Sequence, residues 1–196
     1  MQLEDSLEVF RPVAQALEEL GISYRLGGSV ASSIYGMPRG TSDVDVEADL
    51  REEHIAPFVA RLEAQFIVSE AMVRDALFYR NSFNLIPYDA IAKVDIFIPQ
   101  NRPFDQSAAR RGQKNLLLED GSRLPYVVDS VEDAILRKLE WYRKGHEVSE
   151  QKWLDVLAMM KAQFFDLDVA YLQQWARELN VDYLLARALD EAGLSA

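Results

Sequence analysis

Two aspartates, Asp43 and Asp45, stand two residues apart in the run Arg39-Gly40-Thr41-Ser42-Asp43-Val44-Asp45-Val46. Residues i and i+2 of a strand share a face. A strand here projects two carboxylates side by side and turns Val44 and Val46 toward a core. Like charges held together need a counter-charge, or one of them takes up a proton. Hard divalent cations such as Mg²⁺ (or Mn²⁺) supply that counter-charge through oxygen ligands. A third acid, Asp95, interrupts the apolar run Ala92-Lys93-Val94-Asp95-Ile96-Phe97-Ile98. A charge buried there without a partner is costly, so this strand is expected beside the first, with Asp95 joining the cluster. Three carboxylates can hold two metal ions, and Asp95 can also take the proton from an attacking hydroxyl.

Upstream lies Gly27-Gly28-Ser29, ahead of a small-residue stretch that can start a helix. Paired glycines let the backbone approach a ligand closely. A loop that leads into a helix N-terminus offers free N–H groups to phosphate, and Ser29 adds a hydroxyl. Arg39 can fork onto phosphate oxygens, and Thr41 lies between it and the acids. Phosphate binders, metal ligands and a third acid are what nucleotidyl transfer from an NTP requires. Each piece alone has a plainer reading: a turn for the glycines, a surface loop for Arg39, an exposed strand edge for Asp43-x-Asp45. A calcium loop over the alternating acids fails, because Ala48 and His54 stand where glycine and glutamate are needed.

These residues need elements to position them. Leu3, Leu7, Phe10, Val13, Leu17 and Leu20 recur at helical spacing, and Gly21 ends the pattern. Strands are expected at 22–26, 43–47, 66–69, 84–86 and 93–98, with a helix over 54–65. Segments 115–118 and 126–128 are expected to pair as a hairpin around Asp120-Gly121. After Ser130 the pattern turns helical, with helices over 131–144, 149–164, 168–179 and 181–192. The fold class is α+β: a core over 1–129 and a helical C-terminal region over 130–196 that packs on it. At 100° per residue Lys138 falls in the sector of Val131, Ile135 and Tyr142, so it either snorkels or points into an anionic site. Asp155 lies opposite a stripe of Trp153, Leu157, Met160 and Phe164, a solvated position. Trp141, Trp153 and Trp175 read as helix-packing residues.

Composition narrows the classes. The 196 residues carry a net charge of −11, which argues against coating nucleic acid by bulk electrostatics. Arg102, Arg110, Arg111, Lys114 and Arg123 form one basic cluster, either a landing strip for RNA phosphates or a solvated helix face. With no cysteine, thiolate chemistry is excluded. The longest uncharged stretch, Leu26 to Pro38, is far shorter than the ~20 residues of a membrane span. The acidic N-terminus lacks a secretory pattern, so the expected location is cytoplasmic.

Gly-Gly-Ser, then R-x-T-x-D-x-D, then a strand with an aspartate among apolar residues, resembles the nucleotidyltransferases of the DNA polymerase β superfamily. The run GGSVASSIYGMPRGTSDVDV resembles the small bacterial branch of AbiEii-type toxins and minimal nucleotidyltransferases, and the helical stretch from Glu132 to Met160 is similar to that branch's C-terminal region. The resemblance implies a nucleotidyltransferase fold, a small mixed sheet flanked by helices. It implies Gly27, Gly28 and Ser29 as the nucleotide-phosphate loop, Asp43 and Asp45 as metal ligands, Asp95 as the third acid, and Lys138 and Asp155 as a lysine and aspartate that complete the site. The acceptor is then an RNA such as a tRNA 3′ end, a protein hydroxyl or a small molecule. The competing class is a non-catalytic nucleotide- or partner-binding half of a toxin–antitoxin or regulatory pair. A small-molecule adenylyltransferase of the aminoglycoside type is expected to be longer than this chain.

Overall fold

The computed structural model describes residues 3–89, 91–114, 116 and 124–194. Helix α1 (Leu3–Glu19) is followed by strand β1 (Tyr24–Leu26), α2 (Gly28–Tyr35) and β2 (Asp43–Ala48). A short 3₁₀ turn (Glu52–His54) leads into α3 (Ile55–Leu62), then β3 (Phe66–Ile67), α4 (Glu70–Tyr79), β4 (Ser82–Pro87), β5 (Lys93–Phe97) and α5 (Pro103–Ala109). Helices α6 (Val131–Lys144), α7 (Glu150–Ala162), α8 (Val169–Glu178) and α9 (Asp182–Ala192) complete the α+β architecture. The helix α4 has no counterpart in the expected elements. Its Ser69 cap is clear, but only Val73 and Ala76 are buried, too thin a stripe to read as periodicity. The turn of the expected hairpin lies outside the described residues. Most of its first strand, 115–118, lies there too; the described pairing nearby is Gln113 against Val128, with the Leu124 N–H donating to the Leu116 carbonyl at 2.8 Å.

The strands form one mixed sheet in the order β1-β2-β5-β4-β3. Among the neighbouring strands of the described residues, β2 and β5 run parallel and the other pairs antiparallel. Alternation sets the two faces. Val44, Val46, Phe83, Leu85, Val94 and Ile96 turn inward and are buried. Helix α1 packs on β2 and β5 and against α3. The opposite face carries Asp43, Asp45 and Glu47 on β2 and Lys93, Asp95 and Phe97 on β5.

Helix α2 leaves the sheet at Gly28 and packs on β2, while α6 and α7 pack on α2. The buried apolar cluster runs without interruption from α1 to α9. Helix α6 is started by Ser130, whose hydroxyl accepts the Asp133 backbone N–H at 3.2 Å and donates to the Asp133 carboxylate at 2.9 Å. Ser130→Ala should cost about 1 kcal/mol, read as a lower urea midpoint at unchanged slope.

Candidate active site

A cleft of about 650 Å³ opens over the open face of the sheet. Asp43 and Asp45 line its floor, and register sets Asp95 and Lys93 beside them on the same sheet face, next to the residues that line the cleft. The parallel pairing of β2 with β5 sets Asp45 opposite Asp95 and Asp43 opposite Lys93, all on one face. The antiparallel pairing of β4 with β5 sets Asn84 opposite Asp95. The Asn84 amide donates to Asp95 Oδ1. Lys93 Nζ donates to Asp95 Oδ2 at 2.5 Å and stands 3.7 Å from Asp43 Oδ2. Asp45 has no ion pair among the described residues. Burial pushes its carboxyl above the ordinary range, and the neighbouring Asp95 charge pushes the same way.

The glycine turn lies directly over Asp45. Gly27 N–H donates to the Asp45 carbonyl at 2.9 Å. Gly28 has φ +51°, and a Cβ there would fall 1.7 Å from Asp45 Oδ2. The Ser29 hydroxyl, expected to be free for a ligand, is instead engaged: it lies 2.8 Å from the Thr41 hydroxyl and donates to the Asp43 carbonyl at 3.2 Å. Thr41 Oγ1 accepts the Asp43 N–H at 3.2 Å. These two hydroxyls tie the start of β2 to the start of α2, which fixes the distance between the turn and the acids.

The far wall comes from the C-terminal helices. Lys138 is buried in the sector expected for it and donates to Asp155 Oδ2 at 2.5 Å. Arg39 forks onto the same carboxylate at 3.3 and 3.0 Å, and Gln151 adds a bond at 2.8 Å. Asp155 is therefore buried, not solvated as the helical wheel suggests. The wheel fails because α7 packs on three neighbours, α2, α6 and α9. Its buried residues are Trp153, Asp155, Val156, Met159 and Met160, while Phe164 is exposed. The Arg39 fork is spent on Asp155 rather than left open. Burial raises the Asp155 carboxyl, but the bonds from Arg39 and Lys138 outweigh it and hold the carboxyl below the usual range.

Removing one partner of a buried ion pair strands the other, so Asp155→Ala should cost roughly 3 kcal/mol, measured by denaturant unfolding. Because the folded carboxyl lies below its unfolded value, its stabilising contribution is complete above about pH 4 and fades as pH falls through the folded value. Asp155→Asn should therefore lose less stability than wild type on acidification, seen as converging unfolding midpoints below about pH 4.

Residues that sequence reasoning did not single out also line the cleft. Glu47 continues the acid face of β2, and its carboxylate pairs with Arg137 of α6 at 2.6 Å and with Arg25. Asp129 pairs with Arg25 at 2.8 Å and Arg137 at 3.3 Å. This network ties the helix that bears Lys138 to the strand that bears Asp45. The K-x-D spacing of Lys93 and Asp95 was the signal for Lys93, since i and i+2 share a face. Trp141 is not a packing residue: it is 48% exposed on the cleft wall, edge-on to Phe97. Arg102 pairs with Asp105 and Glu140, and Arg111 with Glu132, so neither is free for a phosphate strip, whereas Arg110 and Lys114 are exposed with no ion pair among the described residues. Arg123 lies outside the described residues.

The donor chemistry fits a hard divalent cation: oxygen ligands only, and in Asp45 a carboxylate that lacks a counter-ion. No group of three or more acids or histidines stands ready to hold an ion among the described residues. The ammonium of Lys93 takes the place between Asp43 and Asp95.

No protein-family model and no curated sequence matches this chain. Solved structures do. The crystal structure of ANT(2'')-Ia in complex with adenylyl-2''-tobramycin aligns with TM-score 0.57 at 11% identity, over 90% of this chain and 97% of that one. The solution structure of the antibiotic-resistance factor ANT(2'')-Ia aligns with TM-score 0.58 at 11% identity, over 97% and 99%. An antigenic nucleotidyltransferase-like protein from Paracoccidioides brasiliensis aligns with TM-score 0.52 at 18% identity, over 95% and 93%. The match covers 97–99% of ANT(2'')-Ia, so the expected greater length is not found in that protein. The mixed sheet, its flanking helices and these likenesses give the chain the nucleotidyltransferase fold.

Proposed function

We propose that this protein is a metal-dependent nucleotidyltransferase that moves an NMP from an NTP to a hydroxyl of a small molecule and releases pyrophosphate. The observation that carries the reading is the in-register pair Asp45 and Asp95 directly below the Gly28 turn. Gly27, Gly28 and Ser29 present backbone to the triphosphate at the start of α2. Lys138 and Arg39 share the single carboxylate of Asp155, so the trio carries a net positive charge on the wall of the same cleft and offsets phosphate charge. Asp95, oriented by Asn84, receives the proton of the acceptor hydroxyl. That oxygen bonds to the α-phosphorus, the bond from the α-phosphorus to the β-phosphate oxygen breaks, and pyrophosphate leaves. A divalent ion on Asp43, Asp45 and Asp95 would supply charge neutralisation at the phosphates.

Three observations support a small acceptor over RNA. The cleft holds about 650 Å³, the scale of small-molecule sites. Arg102 and Arg111 are neutralised by acids, and the net charge is −11. The ANT(2'')-Ia likeness, found with an adenylylated antibiotic, spans nearly both chains. The AbiEii-type branch, a cognate toxin or antitoxin and a cytoplasmic location rest on sequence expectation. No helix among the described residues is long and apolar enough to cross a membrane.

The test is incubation with each α-labelled NTP, Mg²⁺ or Mn²⁺, and separate pools of hydroxylated small molecules, RNA and protein. Label in the small-molecule pool is the expected result. Label in RNA or protein would reassign the acceptor. Nucleotide binding without transfer to any pool would favour the non-catalytic, toxin–antitoxin alternative.

A further inference from the structure

Lys93 stands where the acid cluster needs a cation. The K-x-D of β5 lies against the D-x-D of β2, so four charged side chains form a two-by-two block on the open face. Three are carboxylates and one is an ammonium. Lys93 Nζ crosses the diagonal of that block, 2.5 Å from Asp95 Oδ2 and 3.7 Å from Asp43 Oδ2. Asn84 holds the other oxygen of Asp95. The two holders differ in freedom. Asn84 is exposed too, but its side chain is short, whereas Lys93 has a flexible four-carbon stem with 38% of its side chain exposed. Lys93 can swing into solvent, and Asn84 can keep Asp95 oriented when it does.

An ammonium and a divalent ion cannot share the same pair of carboxylates. Their mutual repulsion at about 4 Å is large in a partly buried site, and the ammonium occupies oxygens that an ion would need. We infer that Lys93 is a resident counter-cation that competes with a divalent metal for Asp43 and Asp95. The free protein then holds metal weakly there. Binding of a triphosphate supplies the negative charge that lets Lys93 and the metal ion coexist, so nucleotide and metal load together. Such coupling is reciprocal: each raises the affinity of the other by the same factor. This inference rests on the nucleotidyltransferase reading of the acid cluster.

The test counts bound Mn²⁺ by the loss of the free-ion electron paramagnetic resonance signal. It uses the full chain as wild type, Lys93→Met, Lys93→Arg and Asp45→Asn, each with and without α,β-methylene-ATP. Lys93→Met should bind Mn²⁺ at least about tenfold more tightly than wild type without nucleotide, each tenfold being about 1.4 kcal/mol of coupling. The nucleotide should then add less to its Mn²⁺ affinity than it adds to wild type. Lys93→Arg, which keeps the charge, should return the weak affinity. Equal or weaker Mn²⁺ binding by Lys93→Met would overturn the inference, and the acid-cluster reading would stand if Asp45→Asn still abolished binding. Unchanged Mn²⁺ binding in Asp45→Asn would place the ion elsewhere and sink both. Lys93 is partly exposed and bears only on this face, so Lys93→Met should fold; a far-ultraviolet circular dichroism spectrum checks it, and Lys93→Gln provides a second charge-removing variant.

Discussion

Asp45→Asn should abolish NMP transfer, by on the order of 10³-fold or more in kcat/KM, and leave the protein at least as stable as before. The two halves of this expectation have one cause. Asp45 is a partly enclosed carboxylate beside Asp95, with no ion pair among the described residues and with its proton affinity raised by burial. An ionised group so placed weakens the fold unless something arrives to neutralise it. Asparagine keeps the size and a carbonyl acceptor for the Ser29 backbone, and removes the charge. The folded state loses a repulsion; the reaction loses the oxygen that faces the glycine turn. A variant with normal or raised thermal midpoint and no turnover is the signature of a site where function opposes stability. A large drop in thermal midpoint would mean that Asp45 is a structural carboxylate, and wild-type-like turnover would remove the mechanism.

Gly28→Ala has the opposite signature: both stability and nucleotide binding should collapse. The backbone at Gly28 has φ +51°, a conformation that costs an L-residue about 1–2 kcal/mol. The added methyl would also lie 1.7 Å from Asp45 Oδ2, 2.5 Å from its Cγ and 2.8 Å from its Cβ. Rotating the carboxylate away relieves the first two contacts and not the third, because the Asp45 Cβ is fixed by the strand. Either α2 moves off the sheet or β2 shifts. A loss of more than about 3 kcal/mol is expected, which for a chain of this size lowers the thermal midpoint by roughly 6–12 °C. NTP affinity should fall at least 100-fold by isothermal titration. Retained affinity in a stably folded Gly28→Ala would show that the turn does not cradle the nucleotide.

What the sequence revealed depended on how local the cause was. The D-x-D face of β2 and the acid in β5 were legible because strand alternation is a two-residue rule. Lys138 was legible because its place in the α6 stripe is set within one helix. The helical wheel misplaced Asp155, which the family resemblance had put in the site, because its burial depends on packing between α7 and three other helices, which no single wheel contains. Its partner Arg39 lies 116 residues away in sequence. Trp141 was misread for the related reason that an aromatic on a helix can face a cleft as easily as a core, and only the position of Phe97 decides it. Lys93 fell between these cases. Its spacing to Asp95 was visible, but its closeness to Asp43 required the parallel register.

The proposed chemistry requires the acid face of the sheet and the glycine turn to bind one ligand together. The most direct measurement is a crystal structure with Mn²⁺ and a non-hydrolysable NTP analogue, with anomalous data collected for manganese. The expected map has an anomalous peak bounded by the carboxylates of Asp43 and Asp45, the triphosphate against the backbone of Gly28 and Ser29, and the Lys93 ammonium displaced from Asp43. Nucleotide density away from the glycine turn, or manganese peaks remote from these carboxylates, would contradict it.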